Sequence, residues 1–260
     1  MTTLDDAPRH VGILLRHWRE RRRLSQFDLA TRTDVSARHV SFVETGRSKP
    51  TRAMLLKLSE QLDIPHRERN SLLLVGGFAP VYPEHPIDAF PMAAVSDAIG
   101  KILAAQLPYP ALVIDRHWNM IDGNDAVDLL TAGCAAHLLE PPINVLRLSL
   151  HPEGMAPRIR NLGQWRAHVL DRLNRQIDAT GDEQLVELHR ELSGYDGDDS
   201  PAAHDTRALL VPLIVAGSDR DLSLFSTTTV FGTPLDVTLT ELAIESFYPA
   251  DTATAQAFGR

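Results

Sequence analysis

Over the first third of the chain the apolar positions recur at helical spacing. Val11, Leu14, Leu15 and Trp18 begin the series. Leu29 with Ala30 and Val40 with Val43 follow, then Met54, Leu55, Leu58 and Leu62, and last Leu72, Leu73 and Val75. Polar residues fill the gaps, so the pattern predicts five short amphipathic helices around one small core. Punctuation supports it. Ser25 is an N-cap residue with Asp28 three positions on, an imperfect capping box. Ala30 is small enough to let another helix cross closely. Asp34 falls where a left-handed turn is needed, a conformation Asp tolerates better than most residues, and Val35 plugs the corner. Ser36 caps the next helix and Gly46 closes it as a C′ glycine. Thr51 caps the fourth helix, Pro65 opens the fifth, and Gly76 with Gly77 ends it.

The helix after Ser36 turns Val40 and Val43 inward. Ala37, Arg38, His39, Ser41 and Phe42 remain on its other faces. An apolar inner side with donors, a cation and an aromatic ring outside is what a recognition helix needs in a major groove. A plain helical hairpin is the alternative, but cap, corner, crossing alanine and terminal glycine all fall in register.

Beyond residue 78 the pattern changes. Residues 79–91 are rich in proline, which reads as a semi-rigid linker. A largely apolar helix is expected over residues 92–107, as a dimer or interdomain helix or as a cover for a sheet. Alternation then predicts strands over 111–115 and 118–121, with a helix over 125–130. A mostly helical block over 143–195 carries Trp165, Val169, Leu173 and Ile177 on one face, and Leu185, Leu188 and Leu192 on another helix. An acidic loop spans 194–201, and three strands are expected at 208–215, 222–231 and 239–248. Two strands, a helical block and three strands suit an α+β antiparallel sheet with helices on one face.

Charge divides the chain at the same place. The net charge is −8, which by itself argues against a nucleic-acid binder. Residues 1–78, however, hold 14 Lys and Arg against 9 Asp and Glu, net +5. The rest holds 12 of the chain's 26 basic residues against 25 of its 34 acidic ones, net −13. A basic head on an acidic body fits a DNA reader joined to a domain of another kind. A single cysteine, Cys134, excludes an internal disulfide. MTTLDDAPRH has no apolar signal-peptide region, and no stretch approaches the ~18 apolar residues of a membrane span. A cytoplasmic protein is expected.

Two resemblances follow from these runs. LSQFDLA, the VS that follows the turn, FVETGRSKPT and LLKLSEQLDIP resemble the phage-repressor-like helix-turn-helix proteins of the XRE family over residues 10–78. Asp34 departs from the glycine usual there. The resemblance implies double-stranded DNA as partner, with Gln26, Thr45, Arg47 and Lys49 on phosphates. It places Ser36, Ala37, Arg38, His39, Ser41 and Phe42 toward the groove, and implies an ion pair between Arg19 and Glu44. PALVIDRHWNMIDGN, NVLRLSLHPEGM and the run from Val211 to Asp251 resemble the PAS-type ligand-binding domain of MmyB-like transcription regulators, over about residues 88–252. That implies a PAS-like pocket for a small apolar molecule, with a fatty acid or derivative the leading candidate.

The fold class expected is therefore multidomain. An all-α five-helix head (1–78) and a linker (79–91) precede an α+β antiparallel-sheet sensor domain (92–260). Trp118, Met120, Leu146, Trp165, Val169, Phe225 and Phe247 are the candidate pocket walls, although each suits a filled core nearly as well. The chain has no HExxH, Cys-x-x-Cys, GxSxG, Walker or GxGxxG run, so no metal, cofactor or catalytic site is expected. The reading is a ligand-responsive regulator, acting as a homodimer on a two-fold operator. The alternative is a DNA-tethered enzyme or a redox sensor using Cys134; a buried, inert thiol is the simpler account of that residue.

Overall fold

The computed structural model describes residues 10–87, 89–195, 210–217, 219–232 and 234–259. The first nine residues, the acidic loop from residue 196 on and the beginning of the strand expected at 208–215 lie outside the described residues. The chain divides into two compact units: Met1–Glu84 with Leu235–Val237, and His85–Pro234 with Thr238–Arg260.

The first unit contains α1 (Val11–Arg21), α2 (Gln26–Thr33), α3 (Ala37–Glu44), α4 (Arg52–Gln61) and α5 (His66–Val75). Leu15, Trp18, Leu29, Val40, Val43, Leu55, Leu58, Leu62, Leu72 and Leu73 form its core. Val75, expected inside, is 46% exposed; it is the last residue of α5, beyond the buried turn. The capping box at Ser25 is complete. Its hydroxyl accepts from the Asp28 amide at 3.0 Å, and the Asp28 carboxylate accepts from the Ser25 amide at 2.9 Å. Asp34 takes φ +51° at the α2–α3 corner. Helices α1 and α3 meet at Gly12, where an added Cβ would stand 2.0 Å from the Val43 carbonyl oxygen. Only glycine allows that approach.

Part of the expected linker belongs to this unit. The Asn70 side chain on α5 accepts from the amides of Val81 (3.0 Å) and Tyr82 (3.1 Å) and donates to the Tyr82 carbonyl (2.8 Å). The Tyr82 ring stacks on His66 at 3.9 Å. Residues 81–82 are thus strapped down, because one buried amide side chain satisfies three backbone groups of the proline-rich segment.

The second unit is built on a five-stranded antiparallel sheet, in the order β2-β1-β5-β4-β3. The strands are β1 (Ala111–Ile114), β2 (Met120–Gly123), β3 (Leu213–Ala216), β4 (Asp221–Val230) and β5 (Ala243–Pro249). Three strands, β2, β3 and β5, begin later than expected, and described residues 210–212 precede β3 without being in a strand. Residues 115–118 form a tight turn before β2, and α11 (Val237–Thr240) occupies the start of the segment assigned to the last strand. The helices are α6 (Ala93–Ala105), α7 (Asp128–Thr131), α8 (Val145–Leu150), α9 (Leu162–Thr180), α10 (Glu183–Ser193) and, after β5, α12 (Thr252–Phe258).

Both faces of the sheet are covered, not one. Leu112, Ile114, Leu224 and Phe247 bury against Trp165, Val169 and Leu173 of α9 and the α8–α10 block. Ala111, Val113 and Ile244 bury on the other face against Ile99 and Leu103 of α6. All four β1 residues are therefore buried, and the strand reads as a continuous apolar run. α6 is a helix that covers the sheet.

Candidate nucleic-acid interface and ligand cavity

Helix α3 is held to α1 by the buried pair of Arg19 and Glu44. The guanidinium donates twice to the carboxylate, at 2.6 and 2.9 Å, and once to the Leu24 carbonyl at 2.7 Å. Gln26 adds a third bond to Glu44 through its amide nitrogen, at 2.8 Å. Gln26 is thus positioned by the same carboxylate that fixes α3. The hydrogen bonding to Glu44 is the first cause raising the already high pKa of Arg19.

The outward side of α3 carries the residues expected to face the groove. Ser36 caps the helix, its hydroxyl accepting from the His39 amide at 3.2 Å with the O–H hydrogen left over. Arg38 is exposed and its guanidinium lies 5.2 Å over the Phe42 ring; Arg47 approaches the same ring at 5.9 Å. Two cations are pre-oriented by one half-buried aromatic ring. Ala37, His39 and Ser41 are half-buried beside them. Thr45 and Lys49 are exposed, with the Thr45 hydroxyl donating to the Ser41 carbonyl at 2.7 Å. The α3 end and the following loop thus carry the phosphate candidates, and the helix carries the candidates for base contact.

In the second unit a cavity of about 70 Å³ lies between the sheet and α8–α9. Trp118, Met120, Leu146, Trp165, Val169 and Phe247 all border it. Phe225 does not. It stacks on Tyr248 at 5.4 Å on the opposite face of β4 and β5, because side chains alternate along a strand and Leu224 takes the inward place. Indole N–H groups are satisfied at the walls. Trp118 donates to Gln176 (2.7 Å) and Trp165 to the Ser149 hydroxyl (2.8 Å), which leaves their apolar faces to the void. Trp118 has φ +68°, an uncommon conformation for a bulky residue. The Asp115 carboxylate holds it there by accepting from the amides of His117 and Asn119, both at 2.8 Å. Backbone strain of this kind persists only where surrounding structure over-determines it, and it concentrates at ligand sites.

The polar rim of the cavity was missed in the sequence. Arg172 of α9 pairs bidentately with Glu245 of β5, both bonds at 2.9 Å, and donates to Thr228 at 2.6 Å. Its guanidinium lies 4.5 Å over the Trp118 ring. His168 stands one turn earlier on α9; burial first, and then Arg172, push its pKa below the ordinary value, keeping it neutral near pH 7. Residues 165, 169, 172 and 176 share one face of a 3.6-residue helix, but no local spacing marks Arg172 as the partner of Glu245.

Cys134 is half-buried, and burial pushes its thiol pKa up. An activated thiol needs the opposite shift. His137, His151 and Glu153 bring three potential metal-ligand atoms within 4.8 Å of one another. The Glu153 amide already donates to His151 Nδ1 at 3.0 Å, and His137 and Glu153 are exposed. No helix among the described residues is long and apolar enough to cross a membrane.

A helix-turn-helix head carried with an antiparallel-sheet domain that holds an apolar cavity defines a ligand-sensing transcription regulator. Comparison with known families agrees at both ends. Residues 95–260 match the MmyB-like transcription regulator ligand binding domain, and residues 10–72 match a helix-turn-helix domain. The first match spans more than half of the chain, which belongs to the family of MmyB-like transcription regulators. Both matched families are regulatory domains and neither is an enzyme family. No curated protein matches the chain.

Proposed function

We propose that this chain is a cytoplasmic, homodimeric regulator that binds a two-fold operator through α3 and senses a small apolar ligand, a fatty acid or a derivative of one, in a PAS-like domain. The functional division runs as 1–78 for DNA, 79–91 for the connection and 92–260 for the ligand. A lone recognition helix reads only a few base pairs, so two half-sites about 34 Å apart are needed for useful specificity. The observation that carries the sensing role is the apolar cavity bordered by Trp118, Met120, Leu146, Trp165, Val169 and Phe247.

At about 70 Å³ the void is roughly half of the ~150 Å³ engineered cavity that admits benzene. A chain of many carbons enters only as walls move, and Met120 and Met155, both lining the void, are the adaptable ones. This requirement suits a sensor, because a ligand shifts an equilibrium only when it binds two states unequally. Melting curves with graded octanoic acid and methyl octanoate test the reading. Wild-type protein gains stability with at least one of them by mass action. Val169→Phe, which fills the void, melts near wild type and ignores both. Absence of any shift in wild type, together with a badly destabilised Val169→Phe, refutes the pocket, since overpacking a filled core costs ~1–3 kcal/mol.

A further inference from the structure

Among the described residues lining the cavity, Arg172 and Glu245 carry the only full charges, and they are spent on one another. Both Glu245 oxygens accept from Arg172, and Glu245 Oε2 also accepts from the Thr228 hydroxyl at 3.0 Å. Glu245 is 5% exposed. The pairing is set by the sheet: Leu112, Glu245 and Thr228 are cross-strand neighbours on β1, β5 and β4, in one row facing α9. The Trp118 ring backs the guanidinium.

Three of the five Arg172 N–H donors are engaged in this network. The Nε–H and one Nη1 hydrogen take no part in this network, and Arg172 lines the cavity. A carboxylate that reached for them would bring a second negative charge beside Glu245 in a site of low polarity. Displacing Glu245 instead would strand a buried carboxylate with Thr228 alone, the costly way to break such a pair. A carbonyl oxygen on a neutral head meets neither obstacle. Neutral His168 lines the same cavity and adds a polar neighbour without adding charge.

We propose that the cavity selects amphiphiles with an uncharged head group, an amide or ester whose carbonyl accepts from Arg172, and discriminates against the free carboxylate through Glu245. This rests on the ligand-binding reading above and narrows it from a fatty acid to a neutral derivative.

The test titrates full-length protein with octanamide and with octanoate at pH 7.5, by calorimetry. Wild type is expected to bind octanamide at least tenfold more tightly than octanoate. Glu245→Gln keeps the shape and one acceptor for Arg172 but removes the charge, so octanoate should gain at least tenfold relative to octanamide. Octanoate binding wild type as well as octanamide overturns the proposal, and this wild-type comparison decides even if Glu245→Gln does not fold. An unchanged ratio in folded Glu245→Gln also overturns it, by assigning the preference to general desolvation. Failure of both probes, and of methyl octanoate, to bind wild type refutes the ligand site itself along with this proposal.

Discussion

Replacing Glu44 by alanine removes the keystone between α1 and α3. Arg19 is 8% exposed, and its guanidinium would keep the hydrogen bond to the Leu24 carbonyl and a longer ion-pair contact with Glu20 at 3.7 Å, whose carboxylate is half exposed. Gln26 loses its anchor in the same step. An exposed ion pair is worth about 0–1 kcal/mol, whereas removing one partner of a buried pair costs about 3–5 kcal/mol. The geometry here, two charge-assisted bonds at 2.6 and 2.9 Å with Glu44 5% exposed, places the loss in the second class. Hydrogen exchange at peptides from α1 and α3 reads the opening free energy of the head without assuming that head and body melt together. A drop of about 3 kcal/mol or more is expected. Arg19→Met combined with Glu44→Leu should recover most of it, because an apolar replacement removes the stranded charge. A drop under about 1 kcal/mol, or a double variant as weak as Glu44→Ala, would refute the reasoning.

Four further outcomes follow from the same geometry. Arg38→Ala should relax preference at one base pair at a cost of ~1–3 kcal/mol, whereas Lys49→Ala should weaken all sequences alike and flatten the salt dependence; equal loss on specific and random duplexes for Arg38→Ala would reverse that assignment. Footprinting should show two half-sites about one helical turn apart, and a single asymmetric half-site would rule out the dimer. Gly12→Ala should force α1 and α3 apart and abolish duplex binding with the body still folded, as circular dichroism and anisotropy would show. His66 and His168 both have lowered folded pKa values, chiefly from burial, so the unfolded chain binds more protons as pH falls below about 6.5. Their contribution is fully present above that pH and is lost below it; urea midpoints from pH 7.5 to 5.5 should fall, and less steeply in His168→Gln.

The head was legible because its signals are local. Caps at Ser25, Ser36 and Thr51, the left-handed Asp34 and the apolar stripe act within a few residues of where they are written. The body was legible as alternation and period, but pairing across the chain was not. Phe225 and Phe247 look equivalent in sequence, and only the β4–β5 register puts them on opposite faces. The Arg172–Glu245 pair joins residues 73 apart, so no window of sequence contains both. The strap at Asn70 was hidden for another reason: an asparagine that satisfies the backbone of a proline-rich segment has no composition signal of its own.

The central claim is that occupancy of the body's cavity changes the head's affinity for DNA. The direct measurement is anisotropy of a fluorescent duplex, selected from random sequence by the wild-type protein, titrated with wild type and with Val169→Phe. Each titration is run with and without octanamide. Coupling between sites is typically 1–3 kcal/mol, about 5–150-fold in affinity. Octanamide should move the wild-type Kd by at least fivefold and leave Val169→Phe unmoved. Saturating octanamide bound in the wild-type cavity with no change in duplex affinity, or an equal change in both proteins, would contradict the account.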